Sequence, residues 1–156
     1  MAIRNIRTKG DEILSKKAKR IEIIDEKIKE FATDMIDTLY ANDGIGLAAC
    51  QVGMLKAMIV YDVDYIQEDK CRNVHVCINP KIISRSKALI SVEEGCLSFP
   101  EVFKTIKRHE KVTLEYTDLD GKKKTVHAKD MEAIVIQHET DHLEGVTFID
   151  RLNENI

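Results

Sequence analysis

The sequence predicts an α+β domain in which antiparallel β-sheets pack around a buried helix in the C-terminal half, with helices at the N-terminus. Two observations carry that expectation. The apolar period is helical before residue 42, strand-like from residue 57 to 128, and helical again from residue 130. The order helix, strands, buried helix fits an α+β domain rather than a parallel α/β one. The length of 156 residues allows one sizeable core, and no linker, repeat or low-complexity stretch interrupts it, so residues 1–156 read as a single domain.

The first forty residues read as helical. Asp25 can cap a helix whose apolar residues Ile28, Phe31, Met35 and Leu39 recur at helical spacing and stop before Asn42-Asp43-Gly44. Ala57–Asp62 is a short buried-type strand. Val74–Ile78 alternates and Asn79-Pro80 closes it, and a further strand covers Ala88–Val92. Lys111–Thr117 and Lys124–Ala128 form a hairpin about Asp120-Gly121, a pair suited to a tight turn. From Asp130 onward, Met131, Ile134, Val135, His138 and His142 fall at i, i+3, i+4, i+7 and i+11, one stripe of a helix. Asp130 can cap its start and Gly145 can end it in a left-handed conformation, while Ala133 and Ile136 widen the apolar face enough for burial on most sides.

Composition narrows the function classes. Charged residues make up 33% and hydrophobic ones 44%, which excludes a disordered chain. The 24 basic and 27 acidic residues give a net charge of −3, with no basic surplus to bind nucleic acid. The longest unbroken apolar run, Ala57–Tyr61, is far short of the roughly 20 residues of a membrane span, and no apolar stretch follows the N-terminal basic residues as a signal peptide requires. A cytoplasmic protein without a membrane partner is the expectation. Cys50, Cys71, Cys77 and Cys96 form no CxxC pair, so each reads first as a small buried hydrophobe.

The helix from Asp130 carries His138-Glu139-Thr140-Asp141-His142, an HExxH motif. Imidazoles four residues apart stack on one helical face and can hold one metal ion, with Glu139 beside the first as general base. Two histidines that continue an apolar stripe are expected to be buried and to need a partner, which weakens the alternative of a solvated polar face. A catalytic metal wants a third protein ligand. The extended HExxHxxGxxH pattern fails, because Gly145 is in place but Phe148 stands where the third histidine belongs. Downstream, Glu154 is the sole glutamate after the helix; upstream, Glu94-Gly95-Cys96-Leu97-Ser98 offers a thiolate. Gly44-Ile45-Gly46-Leu47-Ala48-Ala49-Cys50-Gln51 adds small residues that permit close backbone approach and an amide donor, though alone it reads equally well as an ordinary loop.

Together the segments Gly44–Gln51, Glu94–Ser98 and Gln137–His142 resemble the three ordered motifs of the peptide deformylases, GxGxAAxQ, EGCxS and QHExDH, and the resemblance runs from Ala2-Ile3-Arg4 to about Asp150. That family removes the formyl group from the N-terminal formylmethionine of new proteins, releasing formate. The resemblance implies that Cys96, His138 and His142 hold one divalent metal ion, with a water in the fourth position. It implies Fe(II) as the ion, although a thiolate and two imidazoles suit Zn, Ni or Co as well. By the same resemblance, Glu139 takes the proton from that water. Gln51 and the Leu97 N–H, with the metal, stabilise the charge on the formyl oxygen. The substrate is then an N-formylmethionyl nascent peptide lying along a strand edge formed by Gly44–Gly46 and the residues just before Glu94, with Ile45, Val92, Met131, Ile134 and Val135 around the methionine side chain. Glu94, Asp141 and Arg108 are expected to orient the ligands.

Some positions depart from the family. Cys50 stands where many relatives carry proline or threonine, and reads as a tolerated small residue. Val102-Phe103-Lys104 falls in a stretch where the family varies. Some relatives carry a longer C-terminal helix thought to dock on the ribosome, and Arg151–Ile156 is short for it, so at most a transient ribosome contact is expected of a monomer. Two competing functions remain open at this level. A small zinc metalloprotease would use Glu154 as ligand and dispense with Cys96, and a non-catalytic binder of formylmethionine would have no use for Glu139.

Overall fold

The computed structural model describes residues 2–65 and 72–152. Helix α1 covers Glu26–Ala41, and the Asp25 side chain accepts a hydrogen bond from the Ile28 N–H at 3.0 Å, as a helix cap should. Phe31, Met35 and Leu39 follow each other at four-residue steps on its buried face, each stabilising by about 1.5–3 kcal/mol. Ahead of α1 the expected helix is absent. The described part of the first twenty-five residues forms only a 3-10 turn at Glu12–Ser15 and otherwise runs extended. Lys16, Lys17, Lys19, Arg20 and Glu22 leave no continuous apolar stripe there, and the backbone finds its partners on the body of the protein. Arg7 N–H donates to Gln51 O at 2.6 Å, Lys9 N–H to Ser98 O at 2.8 Å and Ala18 N–H to Leu143 O at 2.7 Å.

Among the described residues seven strands follow: β1 (Gly46–Ala48), β2 (Met58–Tyr61), β3 (His75–Arg85), β4 (Leu89–Cys96), β5 (Phe99–His109), β6 (Lys111–Thr117) and β7 (Lys123–Lys129). Every pairing is antiparallel, in a five-stranded sheet of order β1-β2-β3-β6-β7 and a separate β4-β5 hairpin. The β6-β7 hairpin turns at Asp120-Gly121 as expected, with Gly121 at φ +81°. Strand β3 does not close at Asn79-Pro80. Asn79 adopts φ +51° and the register shifts between Ile78 and Lys81, a bulge that admits a proline without a ladder donor. The Asn79 side chain secures the bulge by bonding both the N–H and the C=O of Ile21, at 2.9 and 2.8 Å. Strand β4 continues past Val92 to Cys96, and β5 was not expected at all. Six of its eleven side chains are exposed, Glu101, Lys104 and Lys107 among them, and only Phe99, Ile106 and Arg108 turn fully inward.

Helix α2 spans Asp130–Leu143, and α3 spans Phe148–Leu152. Asp130 does not cap α2. It is the first helical residue at φ +54°, and Lys129 takes the cap position without a side-chain bond. The other end forms as expected, with Gly145 at φ +75°. Val146 N–H reaches Asp141 O at 2.9 Å and Gly145 N–H reaches His142 O at 3.1 Å, which together make a Schellman closure.

At β1, β2 and the start of β3 the sheet is covered on both faces, so alternate residues there serve two cores, while β6 and β7 turn one side outward. Leu47, Met58, Val60 and Ile78 meet α1. Ala48, Ile59, Tyr61 and Leu114 meet Ala133 and Ile136 of α2. The β4-β5 hairpin has only a small apolar cluster, Phe99, Ile106 and Phe148. Among the described residues no helix is long and apolar enough to cross a membrane.

Candidate active site

Three elements converge on α2. Cys96 ends β4, and the sulfur, His138 and His142 place one ligand atom each within 4.8 Å of one another. Cys96 Sγ lies 3.4 Å from His142 Nε2. The expected pair of buried imidazoles is present, with ring centroids 5.0 Å apart. His138 Nδ1 faces Glu94 Oε1 at 2.8 Å, so a proton on Nδ1 leaves the Nε2 lone pair for a metal ion. Glu94 is itself clamped by Arg108, whose Nε and Nη2 donate to its two oxygens at 2.7 and 2.9 Å. Arg108 Nη1 donates to Asp141 Oδ2 at 2.6 Å. Burial opposes ionisation of Glu94, but Arg108 and His138 outweigh it and hold the carboxyl down at about 2.

The donor set fits a divalent metal. A thiolate and two imidazoles converge from one strand end and one helix face, and a carboxylate orients one imidazole through its far nitrogen. Burial likewise opposes charge on His138, yet Glu139, Cys96 and Glu94 push it up to about 10. Burial pulls His142 the other way, well below the ordinary imidazole value, with His138 and Arg108 adding to the effect. The His142 Nδ1 and the Glu139 Oε1 are buried without a hydrogen-bond partner among the described residues. An orphaned carboxylate oxygen beside three converging metal-type donors is a group placed to receive a proton from something that enters the site.

Glu139 is 4% exposed, and burial pushes its carboxyl up to about 7, against the opposing pull of the His138 charge. It can lie against β1 because residue 46 is glycine. A Cβ there would sit 2.5 Å from Glu139 Oε2 and 2.9 Å from Val135 Cγ1. The close approach expected of the Gly44–Gln51 segment is thus made against the general-base candidate itself. The segment's last residue, Gln51, is buried. Its Oε1 accepts from Ala48 N–H at 2.9 Å, and its Nε2 points to Ser98 Oγ at 3.1 Å and Cys96 Sγ at 3.5 Å. Leu97 occupies the turn between β4 and β5, next to the Cys96 sulfur.

A cleft of about 590 Å³ opens over these groups. Ile45, Gly46, Val92, Met131, Ile134 and Val135 all line it, as do Leu97, His138 and Glu139. Gln51 is not part of its wall. Met131 stands 43% exposed at the mouth, while Ile134 and Val135 are buried at the base. Cys50 is fully buried; its thiol donates to His142 O at 3.5 Å, and burial, with Glu139 and Cys96 nearby, pushes it up to about 12. Cys77 is buried in the sheet, whereas Cys71 and Glu154 lie outside the described residues.

Two contacts escaped the sequence reading. Phe148 packs its ring 5.9 Å from His138 and 5.4 Å, edge-on, from Phe99. Arg151 holds Asp141 through Nε at 3.0 Å and Nη2 at 2.8 Å. The pattern HExxHxxGxxF placed Phe148 in register with the site, yet the reading used it only to exclude a third histidine.

Comparison with known proteins follows the same line. The family model described as polypeptide deformylase matches residues 3–155. The peptide deformylase of Dictyoglomus thermophilum is 49% identical over 152 residues, 97% of this chain and 94% of its own length. The crystal structure of peptide deformylase from Thermotoga maritima superposes with a TM-score of 0.90 at 38% identity, covering 97% of this chain and 98% of that one. That of a peptide deformylase from Synechococcus elongatus in complex with actinonin gives 0.89 at 40% identity, covering 97% and 79%.

Proposed function

The chain belongs to the peptide deformylase family, amide hydrolases that remove the N-formyl group of N-formylmethionyl peptides, and from that premise we propose which of its residues carry the reaction. Cys96, His138 and His142 hold one divalent metal ion, Fe(II) by resemblance, with Zn, Ni or Co able to substitute. The observation that carries this is the convergence of their three donor atoms within 4.8 Å beside the buried, unpartnered Oε1 of Glu139. When bound, such an ion supplies Lewis acidity, which lowers the pKa of water and polarises a carbonyl.

The chain's own residues supply the rest. Glu94 accepts the His138 Nδ1–H and keeps that imidazole in the tautomer whose Nε2 faces the ion. Glu139 takes the proton of the attacking water as its oxygen adds to the formyl carbon. The carboxyl is held near 7 by burial, which suits it to accept a proton and then to release it. As the C–N bond breaks, Glu139 passes the proton to the departing amine, leaving formate and a free methionine N-terminus. Charge builds on the formyl oxygen in between. Gln51 Nε2, held beside Cys96, and the Leu97 N–H donate to it there. Ile45, Val92, Met131, Ile134 and Val135 surround the methionine side chain, and the Gly46 end of β1 offers backbone to the peptide.

The reading extends to a single-domain monomer over residues 1–156, working in the cytoplasm on nascent chains, with at most a transient ribosome contact. The test is formate release from a formyl-Met tripeptide by protein prepared without oxygen and loaded separately with iron, nickel or zinc. Fast release with iron or nickel, slow release with zinc and none from Glu139→Ala is the expected result. Release that survives Glu139→Ala would remove the general base from the proposal.

A further inference from the structure

We propose that α3 is a positioning element for His138, acting through Phe148 on the imidazole face and through Arg151 on the ionic chain that ends at the imidazole Nδ1. The inference rests on the reading that His138 is a metal ligand. The contacts form a closed loop: His138 Nδ1 to Glu94 at 2.8 Å, Glu94 to Arg108 at 2.7 Å, Arg108 to Asp141 at 2.6 Å, and Asp141 to Arg151 at 2.8 Å. Arg151 and Phe148 share the short helix α3, and the Phe148 ring returns to His138 at 5.9 Å. The imidazole is therefore fixed at two independent places, its edge by a hydrogen bond and its face by a ring.

Each link is directional. Arg108 and Asp141 are 4% and 13% exposed at their side chains, so their bonds are poorly screened, and the guanidinium forks match carboxylates in a single geometry. A rotation of Glu94 tilts His138 about its Nδ1 contact, and Arg108 resists that rotation only while Asp141 holds it from the far side. Arg151, its side chain 33% exposed, reaches Asp141 with two nitrogens. The helix is pinned in turn by its own start. Thr147 N–H donates to Asp150 Oδ2 at 2.8 Å, and Arg151 N–H donates to Thr147 O at 3.2 Å. Phe148, 1% exposed, sits between His138 and Phe99 of β5, so the same ring also ties the helix to the hairpin that carries Cys96.

The experiment measures Zn(II) affinity by chelator competition, together with thermal unfolding of the metal-free protein. The proteins are wild type, Arg151→Met, Phe148→Leu, Glu94→Gln and the Arg151→Met/Glu94→Gln double variant. Removing an outer partner of a ligating histidine weakens metal binding about 10–100-fold, and a residue three links beyond that partner belongs below this range, about 5-fold for Arg151→Met. In the Glu94→Gln background the chain is already cut, so Arg151→Met then has no further effect on affinity. Phe148→Leu weakens Zn(II) binding independently, because it removes the ring face but keeps apolar bulk. Arg151→Lys, which keeps the charge but loses the fork, recovers part of the loss. Unchanged affinity in Arg151→Met and Phe148→Leu, with a lowered melting temperature alone, would make α3 ordinary packing and overturn the inference. Additive losses in the double variant would overturn the ionic route. A wild-type protein that binds no Zn(II) would instead overturn the metal site, and the inference with it.

Discussion

The five-stranded sheet and the β4-β5 hairpin are both antiparallel, yet they are held in place by different physics. The sheet is covered on both faces at β1, β2 and the start of β3, with Met58, Ile59, Val60, Tyr61 and Ile78 fully enclosed and Leu114 of β6 buried against α2. The hairpin keeps a single small apolar cluster and attaches to α2 through Arg108, whose guanidinium bridges Glu94 on one side and Asp141 on the other. Hydrophobic contact is non-directional and redundant, so the sheet tolerates small shifts. A buried charge pair is directional and intolerant of the loss of one member. The hairpin carries Cys96, the proposed sulfur ligand, and a directional attachment is what such a ligand requires. Stability and site geometry are thus assigned to separate parts of the fold.

The sharpest way to break that division is Cys96→Ala. It removes the only sulfur of the ligand group and touches none of the sheet core. Deformylase activity and stoichiometric metal binding should both be lost, with far-UV circular dichroism unchanged and the metal-free melting temperature within a few degrees of wild type. A large fall in that melting temperature would show Cys96 to be a structural residue of the hairpin. Arg108→Met comes next. It leaves Glu94 buried without its guanidinium and Asp141 held by Arg151 alone, which costs about 3–5 kcal/mol where a buried pair is broken. Urea unfolding should show that loss, and activity per folded molecule should fall with it. Leu114→Ala in the sheet should cost a comparable or smaller amount, about 2–5 kcal/mol, but leave kcat per folded molecule unchanged. If Leu114→Ala lowered kcat as Arg108→Met does, the sheet and the hairpin would not be energetically distinct. Gln51→Leu should act on rate alone, raising the barrier by about 2.7–4 kcal/mol, the usual consequence of a lost oxyanion donor. It would be read as kcat falling with stability nearly constant.

The same division explains what was legible in the sequence. Elements made by apolar periodicity were readable: α1 from Ile28, Phe31, Met35 and Leu39, α2 from its stripe, and β6 to its end residues. The three converging donors, Cys96, His138 and His142, could be singled out because metal-ligating chemistry is confined to few residue types, with the resemblance choosing Cys96 over Glu154. Elements made by ionic or backbone contacts were not. Strand β5 exposes six of its eleven side chains, three of them charged, and its inward residue Arg108 reads as a surface cation until Glu94 and Asp141 are brought to it. The extended N-terminal segment is set by bonds to Gln51, Ser98 and Leu143, partners far away in sequence. Asn79-Pro80 looked like a strand end because the bulge depends on a side chain binding Ile21, 58 residues away.

Acid separates the two regions by sign as well as by size. Glu94 on the hairpin stays ionised in the folded protein down to about 2, whereas a carboxyl in the unfolded chain takes up its proton near 4.5. Between those values the unfolded state binds more protons, so the stability contributed by Glu94 is fully present above about 4.5 and is lost as pH falls toward 2. Glu139 on α2 behaves oppositely. Burial raises it to about 7, so the folded state binds more protons between 4.5 and 7, and the metal-free protein loses that contribution as pH rises through the window. Urea midpoints of metal-free protein at pH 5 and pH 3 should therefore fall with acid, and fall less in Glu94→Gln. Between pH 5 and pH 7, buried His142, held below the ordinary imidazole value, adds the opposite slope to both proteins, so Glu139→Gln should gain more stability over that window than wild type does. Metal-free protein is the right sample, because acid also displaces an ion from thiolate and imidazole and would add its own slope. Equal acid slopes in wild type and Glu94→Gln would mean that the hairpin is not held by this carboxylate, and its attachment would have to be sought in the Phe99, Ile106 and Phe148 cluster instead.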